Sequence, residues 1–284
     1  MNARTARLAL AALVTAHSLV ARTAGAQEWR TLESSRQLRT AEPTSVRIEF
    51  AAGTIDIGPT SDALLYRMKL RYDAERGTPV ATFDEASRSL TIGTRSAGSL
   101  TWNSHSREGS TLRAELTRSA PLRMALELGA AHGDIQLGGL RLTDLSLKTG
   151  ATRLRIDFSE PNREALAGFD LDVGAAEVTV TRGGNAHAGR VRINVGAGAL
   201  DYDLSGAWEG ETDLTANVAI GQLTLRVPTD VGVRVTARTF LAGFERLGLE
   251  KRGDMWYSPG YDNAKRRLTA HVTAVLGGFE LIRR

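Results

Sequence analysis

The feature that most constrains the fold is a short sequence pattern that recurs along the chain. Residues 191–204 (VRINVGAGALDYDL) alternate apolar and polar side chains, pass through four small residues, and then alternate again. Residues 169–180 (FDLDVGAAEVTV) repeat the pattern almost unchanged, and residues 145–156 and 214–225 carry further copies. Alternation with a period of two is typical of strands with one buried face. Each copy therefore predicts two short strands joined at a corner of small residues.

The copies follow one another at a nearly constant spacing, which indicates a stacked architecture. They begin near Leu126, Leu145, Phe169, Val191, Leu214, Val235 and Ala270. A spacing of about 22 residues, with one insertion before the last copy, is typical of solenoid-like folds. Residues 46–57 form an earlier copy of the same pattern.

Polar residues occupy the outward positions of these copies, and their order predicts how neighbouring strands match. If the copies pair in register in sequence order, Asp170 lies beside Arg192. The same pairing places Asp203 beside Arg226. One outward row is then predicted to contain Lys148, Asp172, Asn194, Asn217 and Arg238. Amides and opposite charges that alternate in this way favour a structural sheet surface with balanced charges over a catalytic site.

The first residues have the layout of a secretory signal. Arg4 and Arg7 precede an apolar run over residues 8–21, and small residues 24–26 precede Gln27. We expect residues 1–26 to be removed, leaving an exported protein that is periplasmic or extracellular. Removal lowers the formal net charge from +4 to +1, because the segment carries three arginines and no acid. No clustered basic footprint for a nucleic acid remains, and no later apolar run is long enough for an integral membrane segment.

The rest of the chain is predicted to divide into two regions. Residues 27–111 form an N-terminal β region, and residues 112–284 form the repeat domain. The first region ends in a Ser/Gly-rich stretch, residues 94–111, which carries Trp102 and His105. A loop of this length is either mobile or functional.

The repeats resemble those of a known family. The Gly-Ala corners of residues 126–227, the passage 225–235 (LRVPTDVGVRV) and the closing strand pair up to residue 281 look like bacterial toast-rack domains. These include adhesin-type domains of unknown function and the C-terminal domain of LiaF-like cell-wall-stress proteins. The resemblance covers roughly residues 120–282. It implies an all-β, right-handed, β-helix-like (toast-rack) stack of about seven Gly-Ala cornered repeats with a short N-terminal β region. No catalytic residues come with it.

The residue types that usually build cofactor or metal sites are scarce or scattered. The chain contains no cysteine, which excludes disulfides and a thiolate nucleophile. The histidines after the leader lie far apart and have no metal-binding spacing; they are His105, His132, His187 and His271. The glycine pairs at 183–184 and 277–278 open no helix, so they predict no phosphate-binding loop. We expect neither a cofactor nor a metal.

Two carboxylate pairs leave an enzymatic interpretation open. Asp170 and Asp172, and likewise Asp201 and Asp203, point to one face of a strand with roughly 6.5–7 Å between them along the strand. Such a separation suits glycosidase chemistry. The arginines expected on neighbouring copies favour a structural role instead.

The insertion at residues 250–268 carries a turn surrounded by large side chains, residues 255–261 (MWYSPGY). Its Pro-Gly step predicts a turn. The aromatic side chains either cap the end of the stack or form an exposed contact surface. The candidate contact surface is Trp256, Tyr257 and Tyr261, because exposed aromatic rings suit sugar and protein faces.

The sequence is best interpreted as an exported, non-enzymatic envelope or surface protein, an adhesin-like or cell-wall-stress-related binding module. Its partner would be a cell-envelope polymer or an envelope protein. Two alternatives stay open. One is a polysaccharide-active enzyme that uses carboxylates on a sheet face, and the other is a self-assembling structural module whose terminal strands pair between copies.

Overall fold

A computed structural model describes residues 28–96, 109–245 and 248–284 of the chain, and these residues are almost entirely β-strand. The strands are β1 (Trp29–Gln37), β2 (Thr44–Thr60), β3 (Leu64–Asp73), β4 (Gly77–Asp84), β5 (Ser89–Ser96), β6 (Thr111–Thr117), β7 (Pro121–Gln136), β8 (Arg141–Thr149), β9 (Arg153–Asp157), β10 (Phe169–Thr181), β11 (Arg190–Asp203), β12 (Glu211–Val227), β13 (Gly232–Glu245), β14 (Glu250–Arg252), β15 (Met255–Tyr257) and β16 (Arg267–Arg283). Two short 3-10 turns are η1 (Gly183–Ala186) and η2 (Tyr261–Asn263).

All sixteen strands in the described residues join one sheet. The order along the sheet is β1-β3-β6-β2-β7-β8-β10-β11-β12-β16-β13-β15-β14. Neighbours from β6 to β13 are parallel, and the strands at both ends pair antiparallel. β9 continues the copy that β8 begins, since β7 and β10 pair first with β8 and then with β9. The predicted all-β, toast-rack fold class is confirmed.

The alternation within each copy gives the sheet its buried face. In β11, Ile193 before the corner and Leu200 after it are both fully buried. The two halves of the copies face each other across the core, as Phe169 and Tyr202 show. Phe169 opens β10, Tyr202 lies near the end of β11, and their ring centroids are 6.2 Å apart in an edge-to-face contact. Each such side chain contributes about 1.5–3 kcal/mol through its burial.

The predicted sequence order of the stack is wrong at its end. β16 lies between β12 and β13, so Asn217 pairs with Thr273, and Arg238 lies one strand further on. The short connection 228–231 passes the end of β16, where Arg283 donates hydrogen bonds to the carbonyls of Thr229 and Val231 at 2.5 and 2.6 Å. The long insertion after β13 then gives the chain enough length for β16 to return and lie between β12 and β13.

The predicted start of the second copy is also wrong, by two residues. Val46 of β2 pairs with Met124 of β7, and Leu126 pairs with Ile48 and Leu147. The buried face was nevertheless assigned correctly, because a shift of two residues keeps every side chain on the same face of a strand.

Strands from before and after residue 111 share the sheet, since β2 pairs with β7 over thirteen residue pairs. The division of the chain at that residue stays a prediction. The leader, residues 1–26, and the loop residues Trp102 and His105 lie outside the described residues. Within the described ranges, no helix is long and apolar enough to cross a membrane.

Candidate functional site

The three aromatic residues predicted as a contact surface lie at one end of the sheet. Trp256 and Tyr257 belong to β15, which pairs with the start of β13, and Tyr261 begins η2. The Trp256 ring meets the edge of Phe244 at 6.2 Å, and Phe244 stacks on Phe279 at 4.9 Å. All three predicted residues are half-buried. The turn thus packs against the last strands of the stack.

Arginines occupy the ring faces of the two tyrosines. Arg252 lies 5.1 Å from the centroid of Tyr257. Arg267 and Arg234 lie 5.7 and 5.9 Å from the centroid of Tyr261, and the two tyrosine rings meet edge-to-face at 5.2 Å. Cation–π contacts of this kind hold an aromatic ring in place. They favour the capping role, and the role of contact surface stays a prediction.

The carboxylates considered for catalysis are engaged by basic side chains. Asp170 lies 3.5 Å from Arg192, as the repeat register predicts. Asp203 is opposite Arg226 in the strand register, but the Arg226 guanidinium binds Asp201 instead, at 2.7–3.1 Å. Asp203 therefore lies opposite Arg226 in the strand register, as predicted, but the side chain of Arg226 binds Asp201 and not Asp203.

Asp203 accepts hydrogen bonds from other neighbours. Arg284 donates to Asp203 at 2.6 Å, and the hydroxyl and amide of Ser205 donate to the same carboxylate at 3.0 Å. The hydrogen bond from Arg226 to Asp201, together with the attraction of that carboxylate, raises the pKa of the Arg226 guanidinium. Hydrogen bonds between an arginine and a carboxylate are among the strongest in proteins.

The histidines in the described residues are likewise scattered. His132 Nε2 lies 3.0 Å from the hydroxyl of Thr54, and His187 Nε2 lies 2.7 Å from the carbonyl oxygen of Ala207. His271 points outward on β16. No group of three metal-ligating side chains occurs within residues 28–96, 109–245 and 248–284.

An open groove crosses the outer face of five neighbouring strands, a feature that sequence reasoning did not find. It has a volume of about 810 Å³ and runs over β2, β7, β8, β10 and β11 next to their corners, and Thr94 and Arg95 of β5 line one end of it. One side chain from each successive strand forms a row along it, which we call the polar ladder. The members of the polar ladder are Glu49, Glu127, Lys148, Asp172 and Asn194. Asn217 and Thr273 continue the same row beyond the groove.

The polar ladder is linked by hydrogen bonds along part of its length. The Asn194 amide donates to Asp172 at 2.7 Å, and the Asn217 amide donates to Asn194 at 3.0 Å. Lys148 lies between the carboxylates of Glu127 and Asp172 in the strand register. Its ammonium group makes no ion pair with any described residue, so it remains available to a ligand.

Arginines from flanking positions balance the two glutamates. Arg95 donates to Glu49 at 2.6 Å, and Arg47 forms an ion pair with Glu127. The hydrogen bond that Arg95 donates to Glu49 raises the pKa of Arg95. Two like charges on directly opposed strand positions would otherwise repel each other, so these arginines keep the row intact.

The floor of the groove is formed by backbone. Gly129, Gly150, Gly174 and Gly196 follow one another across it, so no side chains fill the space above the strands. Thr149 follows Lys148 and lies between the buried residues Leu128 and Val173 in the strand register, so its side chain points to the core, away from the polar ladder. Only 8% of this threonine is exposed, and its Oγ1 has no hydrogen-bond partner among the described residues. Buried polar atoms are rarely left unpaired.

The chain matches one known family over more than half of its 284 residues. Residues 25–181 match the family described as "N-terminal domain of toast_rack, DUF2154". The chain belongs to the toast-rack family. The match begins at residue 25, well before residue 120, where the resemblance of the repeats begins. It includes β2, β7, β8 and β10, four of the five strands over which the groove runs.

Solved structures show a more distant likeness to this toast-rack chain. A "putative cell adhesion protein" from Clostridium sporogenes is 14% identical, with a TM-score of 0.47 over 90% of this chain and 100% of that one. A "putative adhesin" from Bacteroides fragilis is 8% identical, with a TM-score of 0.37 over 90% of this chain and 98% of the other. One from Parabacteroides merdae is also 8% identical, with a TM-score of 0.34 over 91% and 97%. No curated protein matches the chain.

Proposed function

We propose that the chain is a non-enzymatic binding module that holds a linear, hydroxyl-bearing polymer of the cell envelope, such as a polysaccharide, across its groove. The observation that carries this proposal is the polar ladder. It presents one hydrogen-bonding side chain from each of five strands in register beside an open groove. Strands in a sheet lie about 4.8 Å apart, so similar groups recur at a fixed step.

The chemistry of the polar ladder suits hydroxyl groups. Carboxylates accept hydrogen bonds, the ammonium of Lys148 donates them, and the Asn194 amide does both. The charges are mixed, so the row attracts neither polyanions nor polycations strongly. A polymer with a repeating unit can make the same contact on each strand.

The enzymatic alternative finds little support in the carboxylate pairs. A glycosidase needs one carboxyl group that is held protonated as a general acid. Asp201 and Asp203 are instead bound by Arg226 and Arg284. These contacts favour a structural role, which is why the proposal is for binding.

The proposed place of action is the cell envelope or the space outside it. The signal-like leader supports export. The resemblance of the repeats to bacterial toast-rack domains also implies an envelope protein. Adhesin-like attachment and a part in the response to cell-wall stress are both compatible with a module that binds an envelope polymer.

Co-sedimentation with purified peptidoglycan and with outer-envelope polysaccharide tests the proposal. The test variant carries Asp172→Ala and Asn194→Ala, which remove two members of the polar ladder. The matched control carries Thr215→Ala and Thr273→Ala, which remove two exposed polar side chains from β12 and β16, beyond the groove. We expect the test variant to bind at least about tenfold more weakly, since hydrogen bonds to charged groups are worth about 1.5–3 kcal/mol.

A third variant tests whether the aromatic turn, and not the groove, binds the polymer. It carries Tyr257→Ala and Tyr261→Ala, and all variants are first compared with the wild type by circular dichroism. Binding that only this third variant loses would contradict the groove and make the turn the recognition surface. Absence of binding by the wild type to every polymer would overturn the proposed function.

A further inference from the structure

The corners of the last three strands of the stack carry large apolar side chains where the earlier corners carry small ones. Ala175, Ala197, Ile220, Leu276 and Leu241 lie opposite one another on β10, β11, β12, β16 and β13. The residue before each is Gly174, Gly196, Ala219, Val275 and Phe240. We call Ile220, Phe240, Leu241, Val275 and Leu276 the corner ridge.

The repeats themselves show that folding does not require the corner ridge. β10 and β11 make the same corner with exposed glycine and alanine. The large side chains of the ridge are nevertheless exposed, Phe240 to 79% and Leu241 to 66%. A contiguous apolar patch on a soluble protein marks an interaction surface more often than chance. The ridge therefore has a role outside the core of this chain.

The corner ridge adjoins a strand edge that has no partner. Among the described residues, Arg234 and Val235 are the only residues of β13 that pair with β15. The rest of β13 pairs only with β16, on one side. This leaves Thr236–Glu245 with one open side. Backbone N–H and C=O groups on such an edge are a template for another strand.

The other outer strands in the described residues are protected against pairing. The β1 edge carries the charged residues Arg30, Glu33 and Arg36. β14 consists entirely of charged residues, Glu250–Arg252, and β4 contains Pro79, which lacks a backbone donor. Charges and proline are the usual devices that prevent edges from joining. The open part of β13 has Phe240 and Leu241 at its centre instead.

We propose that a second copy of this chain pairs antiparallel with the open edge of β13 and covers the corner ridge about a two-fold axis. A lipid surface fits less well, because it would leave the backbone groups of the edge without hydrogen bonds. An identical edge supplies those bonds, and a two-fold axis makes the contact self-complementary.

The charges at the two ends of the open edge support this arrangement. Arg238 lies near one end and Glu245 lies at the other. Neither forms an ion pair with a described residue. Antiparallel pairing brings the Arg238 end of one copy to the Glu245 end of the other, so opposite charges meet at both ends of the interface. The dimer does not depend on the proposed polymer binding, since the groove lies on other strands.

Sedimentation velocity of the full chain over a wide range of concentrations tests the proposal. We expect a concentration-dependent monomer–dimer equilibrium in the wild type. Phe240→Lys places a charge in the middle of the edge, as on β14, and is expected to weaken the dimer at least about tenfold. Thr31→Lys adds the same charge to the edge of β1 and should leave the dimer unchanged.

A second variant guards against an effect on folding. Ile220→Ala with Leu276→Ala gives two corners the alanine that β10 and β11 already have, so the melting temperature should stay close to that of the wild type while the dimer weakens. A wild type that remains monomeric at every concentration would overturn the proposal. So would a dimer that survives Phe240→Lys, or one that Thr31→Lys disrupts equally.

Discussion

A Cβ atom added to Gly221 would lie 1.8 Å from the carbonyl oxygen of Gly198 on the neighbouring strand. The contact recurs one strand further on, where a Cβ on Gly277 would lie 1.9 Å from the carbonyl oxygen of Gly221. Both distances are far below any real carbon–oxygen contact. The corners of the stack can approach one another only because no side chain stands between them, which explains the small residues of the repeat.

Replacing Gly221 with alanine should destabilise the protein strongly. Its φ of +140° is unfavourable for alanine, and the added methyl group would displace the backbone of β11. We expect the free energy of unfolding to fall by about 2–4 kcal/mol, measured by urea denaturation. Gly243→Ala on β13 is the matched control, because its Cβ would have no atom within 4 Å. Equal losses in the two variants would contradict the close-approach explanation.

Asn185 should be essential for the loops that close the copies. It is only 5% exposed, its amide donates to the carbonyl of Phe158 at 2.7 Å, and its Oδ1 accepts from the amide of Ala207 at 2.7 Å. Asn185→Ala leaves the carbonyl of the buried residue Phe158 without this partner and releases the amide of the exposed residue Ala207, so we expect a loss of about 1–3 kcal/mol in thermal or urea unfolding. Asn263→Ala, at an exposed site in η2, should change stability by less than about 0.5 kcal/mol. A similarly small change at Asn185 would refute this role.

Thr149→Val should make the protein more stable. The buried Oγ1 of Thr149 has no partner among the described residues, and valine has nearly the same shape. Removing the hydroxyl is expected to raise the free energy of unfolding by about 1 kcal/mol. Thr94→Val is the control, because Thr94 accepts a hydrogen bond from the amide of Ala51 and should lose stability. If both variants are destabilised alike, the hydroxyl of Thr149 has a structural partner.

Asp201→Asn should have only a modest structural effect. The ion pair with Arg226 is partly exposed, at 28% and 38% of the two side chains, so its loss is expected to cost about 1 kcal/mol or less. Release of reducing ends from envelope polysaccharide should be absent in both the wild type and the variant. Turnover by the wild type that Asp201→Asn abolishes would instead establish the enzymatic alternative.

The local rules of the sequence determined the strands, their buried faces and one of the ion pairs. Alternation places Ile193 and Leu200 in the core because the direction of a side chain in a strand depends only on its position along that strand. The constant spacing of the middle copies sets their register, and the predicted contact of Asp170 with Arg192 is confirmed for that reason. A repeat of uniform length leaves its strands few other ways to pair.

The tertiary structure decided the features that the spacing of the repeats does not determine. The insertion after β13 gave the chain enough length for β16 to enter between β12 and β13, and no local pattern records that choice. Arg226 binds Asp201 in preference to Asp203, the residue directly opposite, because a long side chain can reach diagonally across neighbouring strands. The groove is also a tertiary feature: the repeat register predicts the row of Lys148, Asp172 and Asn194, but Glu49 and Glu127 join that row only through the pairing of β2, β7 and β8.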